Sequence, residues 1–172
     1  MPLYEINQKR PRVGAGTWIA PSAEIIGDVT IGEQCYIGFG AVIRADFGPI
    51  TVGDCSLVEE NVVIHTATRT TIGKNVIIGH MAMLHDVDVQ DSVLIGMKSM
   101  VCEGAVIGEG AILAEQSLVR KNQIIPPGKI FAGSPAVLVK EVTERHRAMM
   151  ALGTQAYLEL IDRYHQSFRK IS

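Results

Sequence analysis

The chain has 172 residues, 47% of them hydrophobic but only 5% aromatic, with 17 glycines and a formal net charge of −2. That length allows one domain or a solenoid with an appendage, and the slightly acidic balance argues against nucleic acid or an anionic membrane as a partner. No apolar run approaches a membrane span, and Met-Pro-Leu-Tyr-Glu-Ile at the N-terminus lacks a basic n-region and an apolar h-region, so a cytoplasmic protein is expected. Its cysteines, Cys35, Cys55 and Cys102, are odd in number and show no CxxC spacing, which fits reduced, inert thiols.

Residues 1–16 read as a lead-in that covers the first coil of a repeat array. From Ile19 every sixth residue is aliphatic: Ile19, Ile25, Ile31, Ile37, Ile43, then Val52, Val58, Ile64, then Ile72, Ile78, Leu84. A last run from Val89 through Ile95, Val101, Ile107, Leu113, Val119 and Ile125 closes on Phe131. So short a fixed period marks an all-β solenoid, the parallel β-helix of hexapeptide repeats. With three short strands per triangular coil, residues 17–137 make about six coils. Four places after most aliphatics stands a small or β-branched residue (Ala23, Cys35, Ala82, Ser99, Ser117), which lets each corner close. Coils of this repeat type wind left-handed, against the usual rule for parallel crossovers; periodicity alone does not set the hand.

The beat fails at Gly133-Ser134-Pro135, and residues 138–172 read as a helical extension. Thr143-Glu144 is a helix start and Gly153 a stop, with a second helix after Thr154 carrying Tyr157, Ile161, Tyr164 and Phe168 on one stripe. These helices are expected along the outside of the solenoid or on a neighbouring subunit. His146 and His165 read as solvated helix-face residues.

Phase shifts locate a site. Three residues are inserted between Ile43 and Val52, two between Ile64 and Ile72, and one is missing between Leu84 and Val89; irregular turns of a solenoid are where function tends to sit. Counting corners by threes stacks Ile43, Ile64, Leu84 and Val101, and with them the outward residues Arg44, His65, His85 and Cys102. Neighbouring coils lie about 4.8 Å apart, so two stacked imidazoles can tilt onto one metal with Zn–N near roughly 2.0–2.1 Å. His80 stands on the preceding face, roughly 15 Å from His85 if the stretch is extended. It cannot reach that metal within one chain, but it can from the next chain of three β-helices around a threefold axis. The expectation is a tri-histidine site split across the interfaces of a homotrimer. Three neutral nitrogens with an open fourth position suit a catalytic zinc, which brings the pKa of bound water near neutrality; iron or cobalt would also bind.

The segments Ile-Arg-Ala-Asp-Phe-Gly-Pro-Ile (43–50), Val-Val-Ile-His-Thr (62–66), Ile-Gly-His-Met-Ala-Met-Leu-His-Asp (78–86) and Ile-Gly-Met (95–97) resemble the γ-class carbonic anhydrases and their relatives. So does the ending Ile-Pro-Pro-Gly…Ala-Gly-Ser-Pro-Ala (125–136), and Leu-Gly-Thr-Gln-Ala-Tyr (152–157) is similar to the branch encoded with phenylacetate and carnitine degradation. The resemblance implies a homotrimer with zinc, iron or cobalt on His65 and His85 of one subunit and His80 of the next. It also implies an Arg44–Asp46 ion pair at the interface. Glu59 stands where the anhydrases usually carry a Gln that orients the metal-bound water, and unlike Gln it can accept a proton. Phe47-Gly48-Pro49 replaces the acidic, proton-shuttling loop expected after Asp46, which argues against fast CO2 turnover.

The leading expectation is therefore hydration of CO2 to bicarbonate, with Glu59, Arg44 and Asp46 around a tri-histidine zinc. A second is hydrolysis of a CoA thioester by the same hydroxide. A metal-free acyltransferase is disfavoured because no insertion exceeds three residues, and an inactive trimeric scaffold because all three histidines are present.

Overall fold

The computed structural model describes residues 3–171; Met1 and Pro2 of the lead-in and Ser172 of the extension lie outside the described residues. Every aliphatic of the six-residue beat from Ile19 to Ile125 is buried, as are the small residues four places on, from Ala23 to Ser117. Between them, three places after the aliphatic, the backbone turns through the left-handed region: Gln34 (φ 53°), Asn75 (φ 54°) and Gly128 (φ 65°) are examples. Each strand thus aims one aliphatic at the axis, a left-handed residue turns the chain, and a small inward residue begins the next face. Burial of one large aliphatic per face, coil after coil, supplies most of the stability.

One face carries Trp18–Ile19, Tyr36–Ile37, Leu57–Val58, Ile77–Ile78, Leu94–Ile95, Ile112–Leu113 and Lys129–Ala132 in parallel order. The other two faces merge into one sheet because Glu24–Ile31 and Val42–Val52 run unbroken round the corner between them. This is the expected left-handed parallel β-helix, with about seven turns rather than six. The additional turn comes from the lead-in, where Leu3–Tyr4 pairs with Ile25–Ile26 and Arg12–Val13 with Thr30–Ile31. An end coil covers the stack by backbone pairing and does not need the aliphatic beat.

Past Phe131 the chain first folds back as Val137–Glu141, antiparallel to Lys129–Ala132. A single helix, α1 (Glu144–Ser167), then follows the predicted cap Thr143. His146 is more than a solvated helix-face residue, because its Nδ1 accepts the Thr143 backbone N–H at 3.0 Å and closes the helix start. The predicted stop at Gly153, and with it the second helix, does not occur. The cost of about 1 kcal/mol for an interior glycine is outweighed by the packing of both halves of α1 on the solenoid of its own chain. Met150 and Ile161 are buried, Tyr164 lies 4.4 Å from Trp18, and Tyr157 meets Tyr36 edge-on at 4.8 Å between ring centroids. A Cβ on Gly153 would sit at an ordinary 3.8 Å from Ile77 Cδ1. Gly153→Ala is therefore expected to stabilise the fold by about 0.5–1 kcal/mol, read as a raised urea midpoint with an unchanged m-value.

Among the described residues no helix is long and apolar enough to cross a membrane. All three cysteines are free. Cys35 is fully buried and its thiol is pushed up to about 11 by that burial, while Cys55 and Cys102 are partly exposed.

Candidate metal centre

Strand register stacks the predicted column. Ile43 pairs with Ile64, Ile64 with Leu84 and Leu84 with Val101, and Arg44, His65 and His85 align beside them in successive coils. The rings of His65 and His85 lie 5.0 Å apart between centroids, inclined by 58°. Asp46 Oδ1 is 3.0 Å from His65 Nε2, and its other oxygen is bound by the Arg44 guanidinium. Desolvation opposes the Asp46 charge, but the His65 hydrogen bond and Arg44 outweigh it and hold the carboxyl below its usual value. The three-residue insertion that follows Asp46 buries Ile50 and leaves Phe47 exposed, with its ring 6.0 Å from that of His65.

His80 lies on a different corner, in a second cluster. Its Nε2 is 3.1 Å from Glu59 Oε2 and its Nδ1 is 2.7 Å from Glu60 Oε2, while its backbone N–H donates to Glu59 at 3.1 Å. The Tyr36 hydroxyl donates to the far oxygen of Glu60 at 2.7 Å. Burial raises the Glu59 pKa, partly offset by His80. Tyr157 of α1 faces Glu59 and is raised by burial and by that charge. Arg44, Asp46, His65 and His85 thus form one group, and Glu59 and His80 another. Among the described residues no group of three His, Cys, Asp or Glu side chains within the chain is placed to hold a metal.

Glu60, Tyr36 and Tyr157 were not among the predicted site residues. Glu60 adjoins Glu59 at a left-handed corner (Asn61, φ 58°), which was the available signal. Tyr157 reaches the cluster from nearly a hundred residues away, and no periodicity connects helix to coil.

Beside the histidine column the outward-facing row Val42, Val63, Met83, Met100 and Leu118 is apolar through five successive coils and ends at Glu24, which pairs with Val42. Val63, Met83 and Met100 are exposed, as are Met81 and Met97 at the adjoining corner. A hollow of about 330 Å³ lined by Met83, His85, Met100, Val101, Cys102 and Glu103 opens next to this row. A larger groove of about 740 Å³, between α1 and the opposite corner, shares no residue with either cluster.

A solenoid built this way belongs to the class of hexapeptide-repeat proteins. Two family models match, "Bacterial transferase hexapeptide (six repeats)" over residues 10–45 and "Hexapeptide repeat of succinyl-transferase" over residues 28–66. The chain is 36% identical to a carbonic anhydrase of Geobacillus kaustophilus, covering 91% of the chain and 87% of the relative. It is 33% identical to the carnitine operon protein CaiE of Escherichia coli K12, over 99% and 88% respectively. Mitochondrial γ carbonic anhydrase 2 of Arabidopsis thaliana is 33% identical over 92% of the chain, which spans only 60% of that relative's length. Among solved structures, a hexapeptide transferase family protein from Anaplasma phagocytophilum superposes with a TM-score of 0.92 at 36% identity, over 95% of this chain and 98% of that one. The chain belongs to the γ-class carbonic anhydrase-like family of hexapeptide-repeat proteins, to which CaiE is also related.

The donor set fits the metal this family implies. Two imidazoles lie in register on adjacent coils, close enough to converge, with His65 Nε2 turned to Asp46 and His85 Nδ1 toward Asp86, which leaves the second nitrogen of each ring as the donor. Imidazole nitrogens suit zinc, iron or cobalt.

Proposed function

We propose that the chain forms a homotrimeric metalloenzyme that hydrates CO2 to bicarbonate. In this reading His65 and His85 of one subunit and His80 of the next hold zinc, or iron or cobalt in its place. The observation that carries it is the separation of the histidines into two clusters, with an exposed apolar row beside the incomplete pair. Such a row is covered by a partner more often than left in water, and a heterologous contact that closes after three copies would bring the two clusters together. A zinc held there would lower the pKa of bound water and so supply a nucleophile near neutral pH. Asp46 holds His65 in place, Arg44 balances the Asp46 charge, and Glu59 beside His80 would orient the incoming water. Phe47, in place of an acidic group, provides no proton relay at that edge, so turnover would be modest. A reducing, cytosolic compartment suits the three free thiols.

Hydrolysis of a CoA thioester is the second reading. The methionine-lined hollow next to His85 favours it, because an apolar chamber of that size exceeds what CO2 needs. The likeness to a carnitine operon protein points the same way.

Protein purified without chelators or a metal-affinity column should carry close to one zinc, iron or cobalt per chain and catalyse CO2 hydration in a stopped-flow assay. Metal without hydration, but with release of thiol from acyl-CoA esters, would support the second reading. A chain that holds no metal and takes none up on addition of zinc would overturn both.

A further inference from the structure

The shortened turn after His85 holds a buried group that the proposed chemistry does not use. In most turns the left-handed residue stands three places after the inward aliphatic, as Gln34, Asn75 and Gly128 do. Where one residue is missing between Leu84 and Val89 it stands two places after, and it is Asp86, with φ 50°. Asp is one of the few residues other than glycine that tolerate this conformation. The Asp86 side chain is 5% exposed. Its Oδ1 accepts from the Thr66 hydroxyl at 2.6 Å, from the backbone N–H groups of Ala67 and Thr68 at 2.8 Å each, and from the Thr68 hydroxyl at 3.3 Å. These residues belong to the loop that the two-residue insertion creates directly after His65. Its Oδ2 faces His85 Nδ1 at 3.5 Å, and its backbone N–H donates to the His65 carbonyl at 3.3 Å. The insertion in one coil and the deletion in the next therefore meet on a single carboxylate.

We propose that Asp86 is a positioning residue for both in-chain histidines. One oxygen clamps the loop that follows His65. The other keeps the His85 proton on Nδ1, so that Nε2 presents its lone pair outward. A carboxylate against the second nitrogen of a ligating histidine fixes both its tautomer and its ring orientation. The inference rests on reading His65 and His85 as metal ligands. A clamp with a purely structural role would hold the loop and leave the tautomer alone.

Asp86→Asn separates the two roles. Its amide oxygen can still accept the loop N–H groups, while its NH2 then faces His85 Nδ1, which has to accept and send the proton to Nε2. The readout is nitrogen NMR on metal-free protein labelled with 15N-histidine, with the His85 signals assigned by their loss in His85→Gln. The wild-type protein should show His85 protonated on Nδ1, and Asp86→Asn should show it protonated on Nε2. Zinc affinity, measured by competition with a chromophoric chelator, should fall by about 10–100-fold. Asp86→Gly accepts the left-handed backbone without strain and serves if the Asn protein does not fold; it should give a mixture of tautomers and a loss of affinity in the same direction. A folded variant with His85 still on Nδ1 and wild-type zinc affinity would overturn the inference. Should the wild-type protein itself take up no zinc, the metal reading fails, and the tautomer still decides whether Asp86 orients His85.

Discussion

If the proposed split site is right, His80→Ala should abolish CO2 hydration and empty the metal site in every subunit while leaving the proposed trimer folded. His80 lies on a corner turn and is half-exposed, held by Glu59 and Glu60 rather than by the core, so truncating it opens no cavity. In the proposed site, loss of one of three imidazoles removes a ligand that the remaining pair cannot replace. The expected fall in kcat/KM is about a thousandfold or more, in the range where metal-supplied nucleophile and charge stabilisation are lost together. The decisive version is complementation. His80→Ala chains and chains carrying His65→Ala with His85→Ala should each be inactive alone. Unfolded and refolded together, they regain a site wherever the first contributes His65 and His85 and the second contributes His80. Random mixing at equal amounts yields about a quarter of the wild-type sites. A mixture as inactive as its components would reject the split site, and so would a His80→Ala protein that kept its metal.

The parts of this protein that were legible in its sequence are those fixed by local repetition. Each inward aliphatic occupies the same place in a narrow coil, so Ile43, Ile64, Leu84 and Val101 could be stacked by counting, and the residues after them followed. What escaped depended on contacts between distant segments. Gly153 looks like a helix stop because local propensity says so, yet Trp18 and Tyr36, more than a hundred residues earlier, hold the half of α1 after it on the solenoid, and buried Met150 anchors the half before it. The lead-in escapes notice as a coil because backbone pairing, with only partial burial of Val13 and no aliphatic beat, attaches it. The resemblance assigns Glu59 to the site, but its place beside His80 emerges only when the corner is folded. Asp86 was in view as the residue after His85, but its inward turn follows from the missing residue, whose effect on the backbone the beat does not show.

Met83→Glu is expected to break the proposed trimer, and the proposed metal site with it. Met83 stands in the middle of the apolar row, register-paired with Val63 on one side and Met100 on the other, and its side chain lies outside the solenoid core. A carboxylate there remains solvated in a single chain, so the fold should tolerate it. In the assembly the same carboxylate would be buried without a partner, once per interface, at a cost of several kcal/mol each. Every 1.4 kcal/mol weakens association tenfold. Light scattering at micromolar concentration should therefore report about 56 kDa for the wild-type protein, three times the 18.6 kDa chain, and a single chain's mass for the variant. Metal content and hydration should fall in step with mass, because a separated chain retains only His65 and His85. Met83→Leu, which keeps the row apolar, should preserve the assembly and separate the effect of charge from that of altered shape. A Met83→Glu protein that remained trimeric would show that the row is not the interface. One that became monomeric yet held a full metal complement would show that the ligands all come from one chain.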